Sequence, residues 1–146
     1  MMIGDLAQRT GLSVDTLRYY EKIGLVPAPL RDSGGRRVYD EAILGWLRFL
    51  DRLKATGLGM RERLRYADLR TRPGVASVRE RREMLERHRD KVAADLERLA
   101  DTLKLLDEKV DLYRRIESGE VADPVVPLAE AVAVPSPAGA RGRAAS

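Results

Sequence analysis

The chain has 146 residues, with 27 Lys and Arg, 23 Asp and Glu, one His and no Cys, which is enough for one domain and an appendage. The absence of Cys excludes disulfides, thiolate metal sites and thiol redox sensing, and one His leaves little for imidazole metal clusters or His-based catalysis. No run of about 18 apolar residues is present, and the first ten residues lack the pattern of a secretory signal. We therefore expect a cytoplasmic protein with no membrane span, no bound metal and no cofactor.

The net charge of +4 is an average over unlike segments. Residues 1–76 carry 14 basic and nine acidic side chains, whereas residues 77–118 carry 11 of each. The positive excess therefore lies in the N-terminal half, where it favours contact with a polyanion. Many solvated surfaces show a similar surplus, so the motifs have to decide.

The first elements are predicted to be two short helices. Apolar spacing indicates a helix over residues 3–9, followed by a turn in which Gly11 can adopt a positive φ. Ser13 is a suitable N-cap for a second helix over residues 14–23, and Gly24 supplies its end. Two short helices joined by a glycine turn form a helix-turn-helix.

Turn chemistry follows, and then two more helices. The segment 31–39 combines Asp-Ser-Gly-Gly with Arg-Arg-Val-Tyr, which favours a small hairpin. Asp40 can cap a third helix over residues 41–55, and a fourth helix is expected over residues 60–70. Together these elements predict one domain over residues 1–72.

Residues 77–118 show a heptad pattern without Gly or Pro. Its apolar positions predict a dimerisation helix whose seam is best formed from Val92 onward; the seam residues are Val92, Leu96, Leu99, Leu103, Leu106, Val110 and Tyr113. The alternative is a helix folded back on its own domain, and the heptad does not fix the direction of a partner. A helix this long needs a partner to bury its apolar stripe.

Residues 119–146 contain eight Ala, four Pro and three Gly and no aromatic residue. We expect this segment to be disordered, because it buries too little apolar surface to offset its ordering entropy. The alternative is a short clamp formed by Val125, Val126 and Leu128.

The second helix presents a mixed polar face. Leu17 and Tyr20 fall on the side that packs on the first helix, which leaves Thr16, Arg18 and Tyr19 on the other side or its edges. Such a face can contact base edges and phosphates in a major groove. An ordinary amphipathic helix shows the same pattern.

The hairpin adds Arg31, Arg36 and Arg37 around a tight turn. This arrangement suits insertion beside a phosphate backbone, although a solvated basic turn is the plainer interpretation. The helix and the hairpin together favour DNA binding more than either does alone.

These segments resemble the MerR family of transcription regulators. The resemblance lies in Ile3-Gly-Asp-Leu-Ala, Thr10-Gly-Leu-Ser-Val, Thr16-Leu-Arg-Tyr-Tyr-Glu and Gly24-Leu-Val. The hairpin from Arg31 to Tyr39 is similar to the family's wing, and residues 47–50 and 57–58 match its third helix. The resemblance covers residues 1–70 by motif and 77–118 by architecture.

The resemblance implies a mainly α fold, in which a winged helix-turn-helix precedes a long antiparallel coiled-coil helix that forms a homodimer. It implies binding to pseudo-palindromic promoter DNA with an over-long spacer, which is bent and untwisted so that RNA polymerase engages both promoter elements. By position, Thr16 lies near base edges, and Arg18 and Tyr19 lie in the recognition helix. The wing and third helix supply further contacts: Arg31, Arg36, Arg37, Tyr39 and Lys54.

The chain departs from the family pattern in two places, and its effector is not evident. Arg36 stands where the family often has an aromatic residue, and Gly59 replaces a Ser or Thr cap. His88 is interpreted as a solvated or packing residue, with a ligand or pH-sensing role as the alternative. A small-molecule effector is possible, and the candidate contacts, which are more often core residues, are Met60, Tyr66, Met84 and Tyr113.

The function expected is a sequence-specific, dimeric transcriptional regulator. The alternatives are an effector-independent repressor or architectural DNA-binding protein, and a coiled-coil interaction module. An enzyme is not expected, because no phosphate-binding Gly loop, metal cluster or paired nucleophile and base is evident.

Overall fold

The computed structural model describes residues 1–124 and is mainly helical, with one small antiparallel hairpin. The elements in chain order are α1 (Ile3–Thr10), α2 (Val14–Lys22), β1 (Leu30–Arg31), β2 (Arg37–Val38), α3 (Ala42–Ala55), α4 (Met60–Arg70) and α5 (Val75–Glu117). The ends of the predicted helices differ from these bounds by no more than about two residues, as is usual for helix termini. The mainly α fold with a winged helix-turn-helix is confirmed, whereas the antiparallel pairing of α5 stays a prediction.

The turn between α1 and α2 is built as the sequence predicts. Gly11 has φ of 74°, a left-handed conformation that lacks the usual Cβ penalty in glycine. Ser13 Oγ accepts a 3.0 Å hydrogen bond from the backbone N–H of Thr16 and so caps α2. Leu6 and Leu17 are fully buried and hold the two helices in one core.

The hairpin is held by one aspartate. Leu30 pairs with Val38, and Arg31 with Arg37, in antiparallel register. Asp32 Oδ1 accepts 2.9 Å hydrogen bonds from the backbone N–H groups of residues 34 and 36, which closes the turn as an Asx motif.

Helix α3 supplies most of the core. Its inward face is buried and includes Ile43, Leu44, Leu47, Leu50 and Leu53. Trp46 lies among them and donates a 2.9 Å hydrogen bond from Nε1 to the Leu25 carbonyl, which ties α3 to the segment after α2. The Arg70 guanidinium of α4 lies 4.2 Å from the Trp46 ring centroid.

The chain divides into two compact units, of which the first is Met1–Glu97 and the second begins at Arg98. Within the first unit, Ser77 Oγ donates a 2.6 Å hydrogen bond to the Leu69 carbonyl. His88 is buried, and its Nε2 lies 2.7 Å from Thr56 Oγ1, so it has a packing position. The division into domains 1–72, 77–118 and 119–146 stays a prediction.

Most of the predicted tail, including the possible clamp, lies outside the described residues. Helix α5 ends at Glu117, and Gly119 follows it in a left-handed conformation, with φ of 79°. No helix within residues 1–124 combines the length and apolarity that a membrane span requires.

Candidate nucleic-acid interface

Helix α2 presents an exposed polar face on a fixed base. Leu17 is only 1% exposed, whereas Tyr19 is 53% exposed and Arg18 is also exposed. Arg18 makes no hydrogen bond or ion pair within residues 1–124, so its guanidinium is available to a ligand. Thr16 is half-buried, and its Oγ1 accepts a 2.8 Å hydrogen bond from Ser13 Oγ, which keeps it in the cap at the start of the helix.

The recognition helix and the hairpin are joined through Glu21. Arg37 Nε donates to both Glu21 carboxylate oxygens, at 3.2 and 3.0 Å, and the Tyr39 hydroxyl donates to Oε2 at 3.3 Å. The Arg37 and Glu21 side chains are both largely buried. Burial raises the pKa of the Tyr39 hydroxyl, and the neighbouring Glu21 carboxylate raises it further. The wing is therefore held on α2 by these contacts in the absence of DNA.

Tyr39 is placed in the core, and its predicted DNA contact stays a prediction. Tyr39 is only 4% exposed, and its carbonyl accepts a 2.8 Å hydrogen bond from the N-terminal amine of Met1. The Tyr39 hydroxyl is hydrogen-bonded to Glu21, so this side chain helps to hold the wing on α2. Arg37 is partly committed in the same way.

The tip of the hairpin carries the more accessible arginines. The Arg36 side chain is mainly solvent-exposed, and its Nε forms a 2.9 Å ion pair with Asp32. Arg31 is exposed, and its Nη1 donates a 2.6 Å hydrogen bond to the Gly35 carbonyl. Hydrogen bonds lower the pKa of Asp32, chiefly the one from the Arg36 backbone N–H. Exposed ion pairs of this kind exchange easily for a phosphate.

Lys54 lies in the last turn of α3 and is brought beside α2. It is exposed, and together with Tyr20 of α2 it lines a small cavity. The structure thus places Lys54 near the recognition helix, as a backbone contact at its edge requires. The role of Glu21 was not identified from the sequence. The one indication in the sequence is that this acidic residue lies between the pair Tyr19-Tyr20 and the basic wing.

The fold agrees with comparisons to known proteins. A profile of the MerR family regulatory protein matches residues 3–39. The uncharacterized HTH-type transcriptional regulator YyaN of Bacillus subtilis is 32% identical over 130 residues, which cover 82% of this chain and 94% of that protein. The chain belongs to the MerR family.

A solved relative adds DNA to this comparison. HiNmlR, described as a MerR family regulator lacking the sensor domain and bound to promoter DNA, matches with a TM-score of 0.69 at 31% identity. The match covers 80% of this chain and 92% of that one. As a member of the MerR family, the chain is a DNA-binding transcriptional regulator, and these relatives are regulators rather than enzymes.

One solved relative binds a metal, so the donor groups of this chain are compared with those that a metal requires. PbrR691 from Ralstonia metallidurans was solved in complex with lead(II); it is 31% identical, matches with a TM-score of 0.51, and the match covers 86% of this chain and 91% of that one. This chain contains no Cys, so no thiolate is available to a soft metal. Residues 1–124 also contain no group of three or more His, Cys, Asp or Glu side chains suited to a metal ion.

The predicted dimerisation residues form an apolar stripe on α5. Val92 is half-buried, whereas the six others are 46–66% exposed, namely Leu96, Leu99, Leu103, Leu106, Val110 and Tyr113. Large apolar side chains that recur on one face of a helix and remain exposed mark an interaction surface. The identity of the partner stays a prediction.

The candidate effector contacts are mostly part of the packed structure. Met60 and Tyr66 pack against the core, and the Tyr66 ring stacks on Trp46 at 5.9 Å between centroids. Met84 is buried, whereas Tyr113 is exposed on α5. These positions favour the packing alternative for Met60, Tyr66 and Met84.

Proposed function

We propose that this MerR-family regulator binds pseudo-palindromic promoter DNA as a homodimer, with α2 in the major groove and the hairpin beside it. The observation that carries the proposal is the exposed Arg18 and Tyr19 on a helix anchored by Leu17. Exposed Arg and Tyr side chains on a recognition helix are suited to base edges and phosphates. Arg31, Arg36 and Lys54 supply charge at the edges of that surface.

The proposed dimer forms through the apolar stripe of α5. Pairing two copies removes the exposed leucines from water, which contributes about 25 cal/mol per Å² of apolar surface. The antiparallel arrangement is implied by the family resemblance. A two-fold symmetric dimer then meets a pseudo-palindromic operator with one recognition helix for each half-site.

The regulatory step is proposed to be distortion of the promoter. Bending and untwisting an over-long spacer costs a few kcal/mol, which extra protein contacts offset. The rigid link from α2 through Glu21 to the hairpin supports this, because a wing locked to its recognition helix can hold a bent backbone. RNA polymerase then engages both promoter elements.

Two further parts of the proposal concern setting and control. Action on chromosomal promoters places the protein in the cytoplasm. The activator form of the proposal includes a small-molecule effector of unknown identity. The second candidate is an effector-independent repressor or architectural protein, and it is supported by the relative that lacks a sensor domain and still binds promoter DNA. A coiled-coil interaction module is a third and weaker alternative.

Genomic footprinting of the tagged protein, followed by transcription in vitro, tests the proposal. We expect protected sites inside over-long spacers, and open-complex formation that rises with the protein on such a promoter. The matched control is the same promoter with its spacer shortened to ordinary length, on which the protein should repress. Repression on both promoters would select the second candidate, and no saturable sequence-dependent binding would exclude DNA regulation.

A further inference from the structure

One arginine of α4 is buried without a full set of partners. Arg63 is only 5% exposed, and its Nε donates a 3.0 Å hydrogen bond to the Leu58 carbonyl. Within residues 1–124, this is the one hydrogen bond of its side chain, which forms no ion pair there. The Nη groups of a buried guanidinium are therefore left without a protein acceptor, which is costly and needs an explanation.

The guanidinium lines a cavity that is large enough for one small polar group. The cavity measures about 40 Å³, and its polar wall consists of Tyr20, Asp51, Lys54 and Arg63. A water molecule needs roughly 10–15 Å³ of this kind of space. The cavity therefore admits an oxygen atom and the group attached to it, but not a whole organic effector.

The charge around the cavity favours an anion. Arg63 and Lys54 contribute two positive charges against one negative charge from Asp51. The Arg63 contact with the Leu58 carbonyl also places the guanidinium next to the start of α4, whose N-cap Gly59 offers no capping side chain. A helix N-terminus adds a partial positive charge and unpaired N–H groups.

We infer that this cavity accepts a non-bridging oxygen of one DNA backbone phosphate, bound by Arg63 Nη, the Tyr20 hydroxyl and the Lys54 amine. The inference rests on the proposed DNA binding and adds a buried contact to it. The Tyr20 ring lies 6.3 Å, centroid to centroid, from the ring of the exposed Tyr19, and the exposed Lys54 also lines the cavity, so the cavity adjoins the proposed DNA surface. DNA bound to that surface would present its backbone phosphates next to the cavity, so we assign the phosphate to DNA.

Operators with single methylphosphonate substitutions test the inference, because each one removes the charge of one phosphate. We expect Arg63→Met to weaken operator binding about tenfold or more, and to lower the salt dependence of log K by up to about two for a dimer. Wild type should lose affinity at one phosphate per half-site, and Arg63→Met should be insensitive at that same phosphate. Tyr20→Phe should lose part of the same coupling, which keeps the test valid if Arg63→Met folds poorly.

Arg79→Met is the matched control, since it removes one exposed charge from α5 and should leave both the affinity and the salt slope nearly unchanged. An Arg63→Met protein that melts differently but keeps the salt slope and phosphate coupling would show a purely structural arginine. In another contrary outcome, inorganic phosphate at constant ionic strength stabilises the wild type but not Arg63→Met, while no methylphosphonate position distinguishes the two proteins. That result would reassign the cavity to free phosphate. Absence of saturable wild-type binding would instead overturn the proposed function.

Discussion

The apolar residues of the unit Met1–Glu97 and those of the part of α5 that follows it differ in their exposure to solvent. In the first unit, Leu6, Leu17 and Leu25 are fully excluded from water. Beyond residue 97, α5 keeps Leu99 and Leu103 more than half exposed. The first unit has a complete core, whereas the described part of the second leaves apolar surface exposed to water. The two should therefore respond differently to substitution.

Leu99→Asp is expected to have the largest effect, because it places a charge in the proposed seam of each subunit. An unpaired charge in an apolar interface costs about 3 kcal/mol or more, which should convert the dimer to monomer or unfolded chain. Sedimentation at several protein concentrations measures this. Ala100→Asp is the control, since it lies next to Leu99 but off the seam. An unchanged dimer in Leu99→Asp would show that the stripe is not the interface.

Leu17→Ala should lower the free energy of unfolding by the same amount at every protein concentration. Leu17 is fully buried, and such a truncation costs about 2–5 kcal/mol of unfolding free energy. Denaturant unfolding at two protein concentrations separates this from loss of the dimer. Val75→Ala, at a residue 73% exposed, should change stability by less than about 0.5 kcal/mol. A concentration-dependent loss in Leu17→Ala would mean that the first unit is not stable alone.

Local chemistry explains why so much of the first unit is predictable from sequence. The Ser13 cap and the Gly11 turn act within a few residues, so the pattern determines α1 and α2. Glu21 is different, since it joins residues 16 and 18 positions away. Tyr39 is assigned to the DNA contacts through the family resemblance, and the sequence does not show that this side chain is buried. Its burial depends on the α2 and N-terminal segments that pack around it.

The same distinction applies to Arg63 and to the stripe. A charge in a polar helix is ordinarily solvent-exposed, and only the packing of α4 against α3 places the Arg63 guanidinium in a cavity. The heptad predicts which α5 residues share a face, and the structure leaves that face uncovered. A repeat read from one chain contains no information on the direction of the second chain.

Arg18→Ala should separate function from stability in the first unit. Arg18 is exposed and its side chain makes no hydrogen bond or ion pair in the described part of the chain, so the thermal midpoint should stay nearly the same. Operator affinity should fall by about 1–3 kcal/mol if the guanidinium contacts a base. Fluorescence anisotropy with specific and scrambled operators measures both affinity and specificity, and Arg79→Ala controls for the lost charge. Unchanged affinity would remove Arg18 from the recognition surface.

Glu21→Gln tests whether the wing is held by the recognition helix. The substitution removes the charge that binds Arg37 and Tyr39, and we expect a loss of about 1 kcal/mol in operator binding. Hydrogen exchange at the amides of β2 should also accelerate. Glu41→Gln is the control, since its ion pair with Arg9 is mainly exposed and should contribute little. Equal exchange in both variants would mean that the wing is positioned without Glu21.

The smallest effect is expected from titration of Asp32, and it should stay within the hairpin. Its pKa is lowered in the folded chain, so the charged form is favoured by folding; this contribution is complete above the unfolded pKa and is lost as pH falls through the folded one. The amide resonances of Gly34 and Arg36 should therefore move at a pH below that of an aspartate in an unstructured peptide. Asp32→Asn should abolish the pH dependence, since its amide oxygen can still accept both backbone hydrogen bonds. Because Asp32 lies at an exposed turn rather than in the core, its protonation should hardly change the free energy of global unfolding. Cooperative unfolding of the whole first unit at this pH would instead show that the hairpin and the core unfold together.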